Sequence, residues 1–587
     1  MKRIIYITII VAITSFTACD LDPEVMLSLT DDQVLTYSNT QGRLNNLYTY
    51  LPSGFSYIDN SMMAAASDEA EFTIETSAIQ KFNTGAWNAI DNPDDAWSRN
   101  FNGIYAANLF LANSDGIDLD YIKNDPDRQD LYQTYLKNMK RWKYEARFLR
   151  AYFYSELIKR YGGVPILDQP IKINDYTSNQ RDSLAKCVRF IIEECDSAAA
   201  NLPFQVLAPN DTLKYGDGDL GRATRGAALA LKSRVLLYAA SDLFNDPSWA
   251  GGYPHPEYIS MADGKDRIER WKEAAEAAGA VINDNAYKIH TTMPAASSYS
   301  DVFRTYTNAE IILARRYNAD NSFEKRNYPI GYQGAEGGVT PLGNLVDDYQ
   351  RIEGGRAVEF NWDNPEHAAD PYTARDPRLG MSVITNNVSF GGGGESRPVE
   401  IWEGGRDGKG ISRATRTGYY MNKFIDPDLD LLQGRTSVHA WTLFRYAEVL
   451  LNYAEAAYEA YGGLPTSKSP NTSKTVRVAI NDIRTRANAL MPPISNTAVG
   501  LKEAIRLERR IELAFEDHHF WDARRWMTAQ ETLGVPARGV EIKKIDDETF
   551  TYTPIILENR VWSNKMYFYP IPQKEVEIEK WVQNPLW

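Results

Sequence analysis

The chain has 587 residues, 43% of them hydrophobic and 24% charged, which argues against a disordered or multi-span membrane class. At about 150 residues per domain, length alone predicts roughly four units. Lys and Arg number 64 against 78 Asp and Glu, a net charge of −14. Such an acidic chain repels a phosphate backbone, so no nucleic-acid partner is expected. Aromatic residues reach 12%, with 35 Tyr, 21 Phe and 13 Trp. Tyr and Trp join a flat apolar face to a polar handle, which suits both a sugar-binding surface and a packed core.

The chain opens Met1-Lys2-Arg3 and then runs without a charge from Ile4 to Phe16. A basic start, a short apolar run and small residues at Thr17-Ala18 predict a secretory signal peptide over 1–18. The run falls short of the ~20 residues that span a bilayer. Phe16-Thr17-Ala18-Cys19 resembles a bacterial lipobox, with Phe where Leu is usual. In a lipobox the Cys becomes the lipidated first residue; the plainer alternative is a cleaved signal followed by an incidental Cys. Residues 19–40, rich in Asp and Glu, read as a lipidated tether. Of three cysteines, Cys187 and Cys195 remain. Eight residues on a helix rise about 12 Å, beyond the ~7 Å Cα limit of a disulfide, so both read as buried thiols.

Helical periodicity dominates next. Trp142, Ala146, Leu149, Phe153, Leu157 and Tyr161 line one face. So do Leu184, Val188, Ile191, Cys195 and Ala199, and then Ala228, Leu231, Val235 and Tyr238. The first of these helices, over 131–161, stops at Gly162-Gly163 with Pro165 beyond, a C-terminal signal. Between about 286 and 440 the periodicity fades. Gly334–Gly338, Gly354-Gly355, Gly391–Gly394 and Gly404-Gly405 mark loops among short strand-like pieces such as Glu310–Leu313. Periodicity returns at Leu443, Ala447, Leu450, Ala454, Ala457 and Tyr461, predicting a helix over 441–461 that ends at Gly462-Gly463. The fold expected is mostly α: a tetratricopeptide-like helix-pair scaffold with a large irregular loop-rich region and few short strands. No Pro- or Ser-rich linker divides it. Residues 41–587 therefore read as one domain, a scaffold over about 41–285 and 441–587 with an insertion over about 286–440.

Catalytic motifs are missing. There is no GxSxG, HExxH or complete GxxxxGK[ST]; the stretch EGGRDGKG at 403–410 reads as a turn. His518-His519 point about 100° apart on a helix, a poor metal pair, and read as structural. Asp426, Asp428 and Asp430 alternate, as do Asp217 and Asp219, without the Gly and Glu of a calcium loop. Calcium is thus at most an opportunistic structural ion; no cofactor and no metal centre are expected. With 78 acidic residues, carboxylate pairs for glycoside hydrolysis always exist, but nothing marks one. What does stand out is Phe82, Trp87, Asn88, Asn92, Trp97 and Asn100 within one stretch. Aromatic faces stack on pyranose C–H faces, and Asn or Asp side chains bond the hydroxyls. The competing reading is that Trp87 and Trp97 anchor a helix and loop to the core. Trp97, Phe101, Ile104 and Leu109 fit a helix face.

Four stretches resemble the SusD/RagB family. They are YEARFLRAYFYSELIKRYGGVPIL at 144–167, GRATRGAALALKSRVLLYAA at 221–240, LERRIELAFEDHHFWDARRW at 507–526 and YPIPQKEVEIEKWVQNPLW at 569–587. The family more often has Gly-His-Arg where this chain has Asp517-His518-His519. The resemblance implies a Bacteroidetes lipoprotein, lipid-anchored at Cys19 to the outer membrane at the cell surface. It implies four tetratricopeptide-like helix pairs, capture of oligo- or polysaccharide or peptide, and a SusC-like TonB-dependent transporter as partner. Asp20, Asp22 and Glu24 resemble the family's surface-export signal. Asp68 (in SDEAEF), Trp87 and Asn92 carry over by motif as glycan-binding residues. Tyr328, Tyr332 and Trp362 are added from loop composition alone. The rival functions are a peptide- or protein-binding member of the same family and, further off, a surface glycoside hydrolase. The glycan stays unnamed. Net acidity weighs against strongly anionic polysaccharides, although local patches such as Arg315-Arg316 or Arg413–Arg416 could reverse that.

Overall fold

The computed structural model describes residues 36–94, 96–170, 179–204, 219–391, 395–486 and 491–587. The signal peptide, Cys19, Asp20, Asp22, Glu24 and Asp217 lie outside these residues.

Helix α1 (Tyr37–Thr49) starts where Thr36 Oγ1 accepts from Asn39 N at 3.2 Å, so helix begins inside the stretch expected to be tether. Then come α2 (Ala96–Asn113), α3 (Gln129–Tyr161), α4 (Leu184–Asn201), α5 (Arg225–Ala240) and α6 (Arg267–Asn283). After the insertion follow α7 (Tyr446–Ala460), α8 (Val476–Arg484), α9 (Leu501–Glu512) and α10 (His519–Arg525). Ser183, Thr224, Asp266 and Thr475 each accept a backbone N–H at the start of α4, α5, α6 and α8, satisfying donors a helix start leaves free. α3 stops at Gly162, where φ is 73°. A Cβ there would lie 2.1 Å from Tyr258 O, so only glycine fits.

The helices stack in series: α2 on α3, α3 on α4, α4 on α5, α5 on α6, α6 on α7, and α7 on α8 and α9. Each needs its neighbour to cover its apolar stripe, the logic of a helical-repeat array. α6 and α7 pack together although the whole insertion separates them in sequence. One buried apolar cluster runs from Leu44 to Ile571, with a small satellite at Ile117, Leu119 and Ile122. Cys187 and Cys195 are buried in the large cluster, and burial pushes the Cys187 thiol up to about 12.

Short antiparallel strands tie the insertion to this array. β1 (Ala70–Phe72) pairs with β3 (Val339–Pro341), fastening the N-terminal loop to the insertion. β2 (Ile311–Arg316) pairs with β4 (Ala440–Arg445), closing the insertion's two ends together. β5 (Ala537–Lys544) and β6 (Phe550–Glu558) form a hairpin. The helix expected from 441 is therefore corrected: 440–445 is strand and α7 begins at Tyr446. Trp441, Thr442, Leu443 and Phe444 favour a strand, and pairing with β2 decides the matter.

A charged layer locks insertion to scaffold. Arg445, at the end of β4, donates to Glu310 at 2.7 Å, Glu512 at 2.8 Å and Glu516 at 2.7 Å. Arg378 reaches Glu508 at 2.6 Å and Glu512 at 2.9 Å. All these groups are buried. Removing one partner from such a network strands a buried charge and costs about 3–5 kcal/mol.

Candidate functional site

The N-terminal residues expected to face a glycan turn inward. Asp68 accepts from Arg510 Nη2 at 2.9 Å and contacts His519 Nε2 at 2.6 Å. Burial alone would raise its pKa, but Arg510 and His519 more than offset this and hold the carboxyl well below the usual range. Trp87 is 2% exposed. Its ring lies 5.0 Å from Phe82, 5.0 Å from Tyr569 and 4.7 Å from Trp587, so it closes the C-terminal segment onto the core. Trp97 is buried on α2 against Tyr161 at 5.0 Å, whereas Leu109 of its expected face is exposed. Asn92 is half-buried and accepts from Asp94 N at 3.1 Å. The open platform expected here is thus corrected to a packed wall, because the closing segment at 569–587 covers it.

Tyr328 and Tyr332 are also buried, at 3% and 5% exposure, so the exposure expected of them is not found. Tyr328 OH donates to Leu429 O at 3.3 Å; Tyr332 OH donates to Phe390 O at 2.8 Å. They do come together, ring centroids 6.1 Å apart and edge-on, and line one shallow depression with Gln333, Glu395, Asp430 and Leu432.

Trp362 is half-buried. Its Nε1 donates to Asp347 Oδ1 at 3.0 Å, and Arg538 reaches Asp347 Oδ2 at 3.0 Å. Burial raises the Asp347 pKa, against the pull of Arg538 and the indole. The adjacent Asp348 receives Arg510, the same guanidinium that holds Asp68. Trp362 and Asp68 therefore belong to one neighbourhood, with Asp68, Arg510 and His519 behind and Trp362, Asp348 and Arg538 toward solvent.

Sequence reading missed a second surface. Residues 401–418 and the β5–β6 hairpin enclose a groove of about 330 Å³, with Ile401, Ile411, Ile555 and Ile556 as apolar walls and Glu403, Lys409, Arg416 and Glu541 at its rim. The neighbouring Trp402 ring packs 5.3 Å from Phe550 and carries Lys544 Nζ at 5.1 Å. The only local signal was the stretch EGGRDGKG, read as a turn.

His518 and His519 diverge as expected. His519 contacts Asp68, and His518 is half-buried and held neutral by desolvation and surrounding cations. Asp517 has φ 61°, a backbone suited to glycine, which accounts for the Gly of the resembling motif. Asp426 Oδ1 accepts from Asp428 N at 3.1 Å and Asp430 Oδ1 from Gln433 N at 3.0 Å, so both serve their own turn. Among the described residues no group of three His, Cys, Asp or Glu is placed to hold a metal. No described helix is long and apolar enough to cross a membrane.

A profile described as the SusD family matches residues 308–587, and one described as "Starch-binding associating with outer membrane" matches 26–237. SusD-like protein P2 of Formosa agariphila is 24% identical over 66% of this chain and 66% of its own length, just under two thirds. SusD-like protein P25 of the same organism is 20% identical over 82% of this chain and 77% of that protein. A SusD-like protein from Bacteroides fragilis superposes with TM-score 0.73 at 24% identity, covering 94% of this chain and 97% of that one. A SusD-like carbohydrate-binding protein of the same organism gives TM-score 0.71 at 24% identity over 93% and 98%. These superpositions establish a shared fold. With two profiles covering most of its length, in the order its motifs run, the chain belongs to the SusD/RagB family.

Proposed function

We propose that this chain is a cell-surface lipoprotein that captures oligo- or polysaccharide on its loop-rich side and delivers it to a SusC-like TonB-dependent transporter. The carrying observation is the Trp362 neighbourhood: a half-buried indole on an irregular segment beside Asp347, Asp348 and Arg538. A ring of this kind stacks on a pyranose face while the polar neighbours bond its hydroxyls. Asp68 acts from behind as a positioning residue through Arg510. Trp402 with Phe550 offers a second platform, and Tyr328 and Tyr332 shape a neighbouring depression.

The profile description "Starch-binding associating with outer membrane" supports both the ligand class and the location. A laminarin-binding SusD-like protein, which superposes with TM-score 0.57 at 19% identity, supports the ligand class alone. Acyl chains on Cys19 would hold the protein at the membrane, since more than one chain gives stable anchoring. The rigid helix array supplies a surface for the transporter. Capture needs no covalent step and no cofactor, so this is a binding protein and not an enzyme. A peptide-binding reading is favoured by one observation: aliphatic walls at Ile401, Ile411, Ile555 and Ile556 suit apolar side chains better than hydroxyls.

Calorimetric titration against a panel of polysaccharides and peptides tests this. Trp362→Ala should lower the melting temperature slightly, since the indole packs on Phe360 and bonds Asp347, and should weaken glycan binding when measured well below that temperature. Unchanged affinity would remove Trp362 from the site, and peptide binding without glycan binding would favour the second reading.

A further inference from the structure

Arg315 and Arg316 stand at the end of β2, and each guanidinium stacks on a half-buried tyrosine. Arg316 Cζ lies 4.4 Å from the Tyr306 ring centroid and Arg315 Cζ 5.6 Å from that of Tyr317. Their hydrogen bonds go to neutral backbone oxygens, Arg315 to Leu51 O and Arg316 to Tyr306 O. Among the described residues neither has a carboxylate partner. Nearby cations differ: Arg222 is bound by Asp219 at 2.7 Å and Glu145 at 3.1 Å, and Arg234 by Glu448 at 2.7 Å. Arg316 Nε is buried without any hydrogen-bond partner. Burial lowers its pKa, against the pull of Tyr306. Arg316 lines a cavity of about 120 Å³ with Tyr287, Thr307 and Asn308. On the other side, Tyr317 OH bonds Ser53 Oγ at 3.1 Å. The N-terminal loop continues from there to Tyr57, on which Arg99 stacks at 5.1 Å.

A guanidinium fork that lacks an acid is matched by an oxyanion that presents two oxygens to it, which it binds with charge-assisted hydrogen bonds. A tyrosine face beneath it suits the ring that carries that anion. We infer that Arg316, stacked on Tyr306 at the edge of that cavity while Arg315 points to the opposite face of the strand, forms a subsite for the anionic group of an acidic polysaccharide. The group is a uronate carboxylate or a sulfate ester. The inference rests on the glycan-capture reading and narrows its ligand class against the chain's overall acidity. Repulsion from charges more than about 8 Å away is screened at physiological salt, so the nearby guanidinium decides the sign of the local attraction.

The test titrates the full-length lipoprotein in detergent with polygalacturonate, carrageenan, and the neutral polysaccharides laminarin and starch. Binding of polygalacturonate or carrageenan is expected, and which of them binds separates carboxylate from sulfate. Arg316→Gln should weaken it about tenfold or more, the effect of one charge-assisted contact. Raising NaCl from about 50 to about 500 mM should weaken the wild type as the Debye length shortens. If Arg316→Gln fails to fold, the wild-type salt response and the loss of binding to carboxyl-reduced polygalacturonate decide alone. Binding of laminarin or starch only, or acidic binding indifferent to salt, overturns this subsite and leaves glycan capture standing. Binding of no polysaccharide overturns glycan capture itself.

Discussion

Replacing Asp517 by Asn should stabilise the protein, and increasingly so as pH rises. Asp517 faces a cavity lined by Glu156, Lys159, Arg160, Arg234, Glu516 and His518. The surrounding cations are engaged: Lys159 with Glu156 at 2.6 Å, Arg160 with Asp94 at 2.8 Å, Arg234 with Glu448 at 2.7 Å. Asp517 Oδ1 is buried without a partner. Burial, with Glu69 and Glu156 adding to it, pushes this carboxyl well above its ordinary range against the pull of Lys159 and Arg160. The folded state therefore keeps a proton that the unfolded chain releases near pH ~4. The state that binds more protons gains relative stability in acid, so folding weakens as pH rises above that value. The loss is about 1.4 kcal/mol per pH unit until the folded carboxyl ionises. Asn has nearly the same shape, carries no charge and tolerates the left-handed backbone as Asp does. Wild type and Asp517→Asn should thus melt nearly alike at about pH 4 and diverge by about 3 kcal/mol two units higher. With ~2.1 cal/mol/K per residue over 587 residues, that is about 2–3 °C in Tm. Scanning calorimetry at several pH values between these limits measures it. A gap constant with pH, or a less stable variant throughout, would falsify the reasoning and mean that Asp517 is ionised and paired with Lys159.

Three further outcomes follow from buried contacts. Asp68→Asn should cost about 3–5 kcal/mol at neutral pH by removing the buried carboxylate that Arg510 and His519 share. The folded carboxyl is held low, so its contribution is complete above pH ~4 and fades as pH falls below it; urea titrations at two pH values would show a narrowing gap, and a gap that widens in acid refutes the assignment. Trp87→Ala should lose about 3–5 kcal/mol from the aromatic wall while polysaccharide affinity of the folded variant stays unchanged; a selective affinity loss at equal Tm would return Trp87 to the site. Gly162→Ala sets a Cβ 2.1 Å from Tyr258 O and should give little soluble protein; normal yield and Tm would show that the end of α3 yields easily.

Periodicity, caps and stop signals are local, so the sequence by itself determined α3, α4 and α5, the end of α3 at Gly162 and the buried state of both thiols. Motif order determined the family. Tertiary structure decided the rest. Residues 440–445 became strand because β2, far back in the chain, offered a partner. Trp87 lost its exposure to Tyr569 and Trp587, and Asp68 its freedom to Arg510, 442 residues away. Tyr328 and Tyr332 read as exposed because Gly-rich loops surround them in sequence, yet their hydroxyls satisfy backbone carbonyls from other loops. Composition and spacing report what a side chain can do. Whether a ring or carboxylate still faces solvent depends on which distant segment covers it, and only the assembled chain supplies that segment.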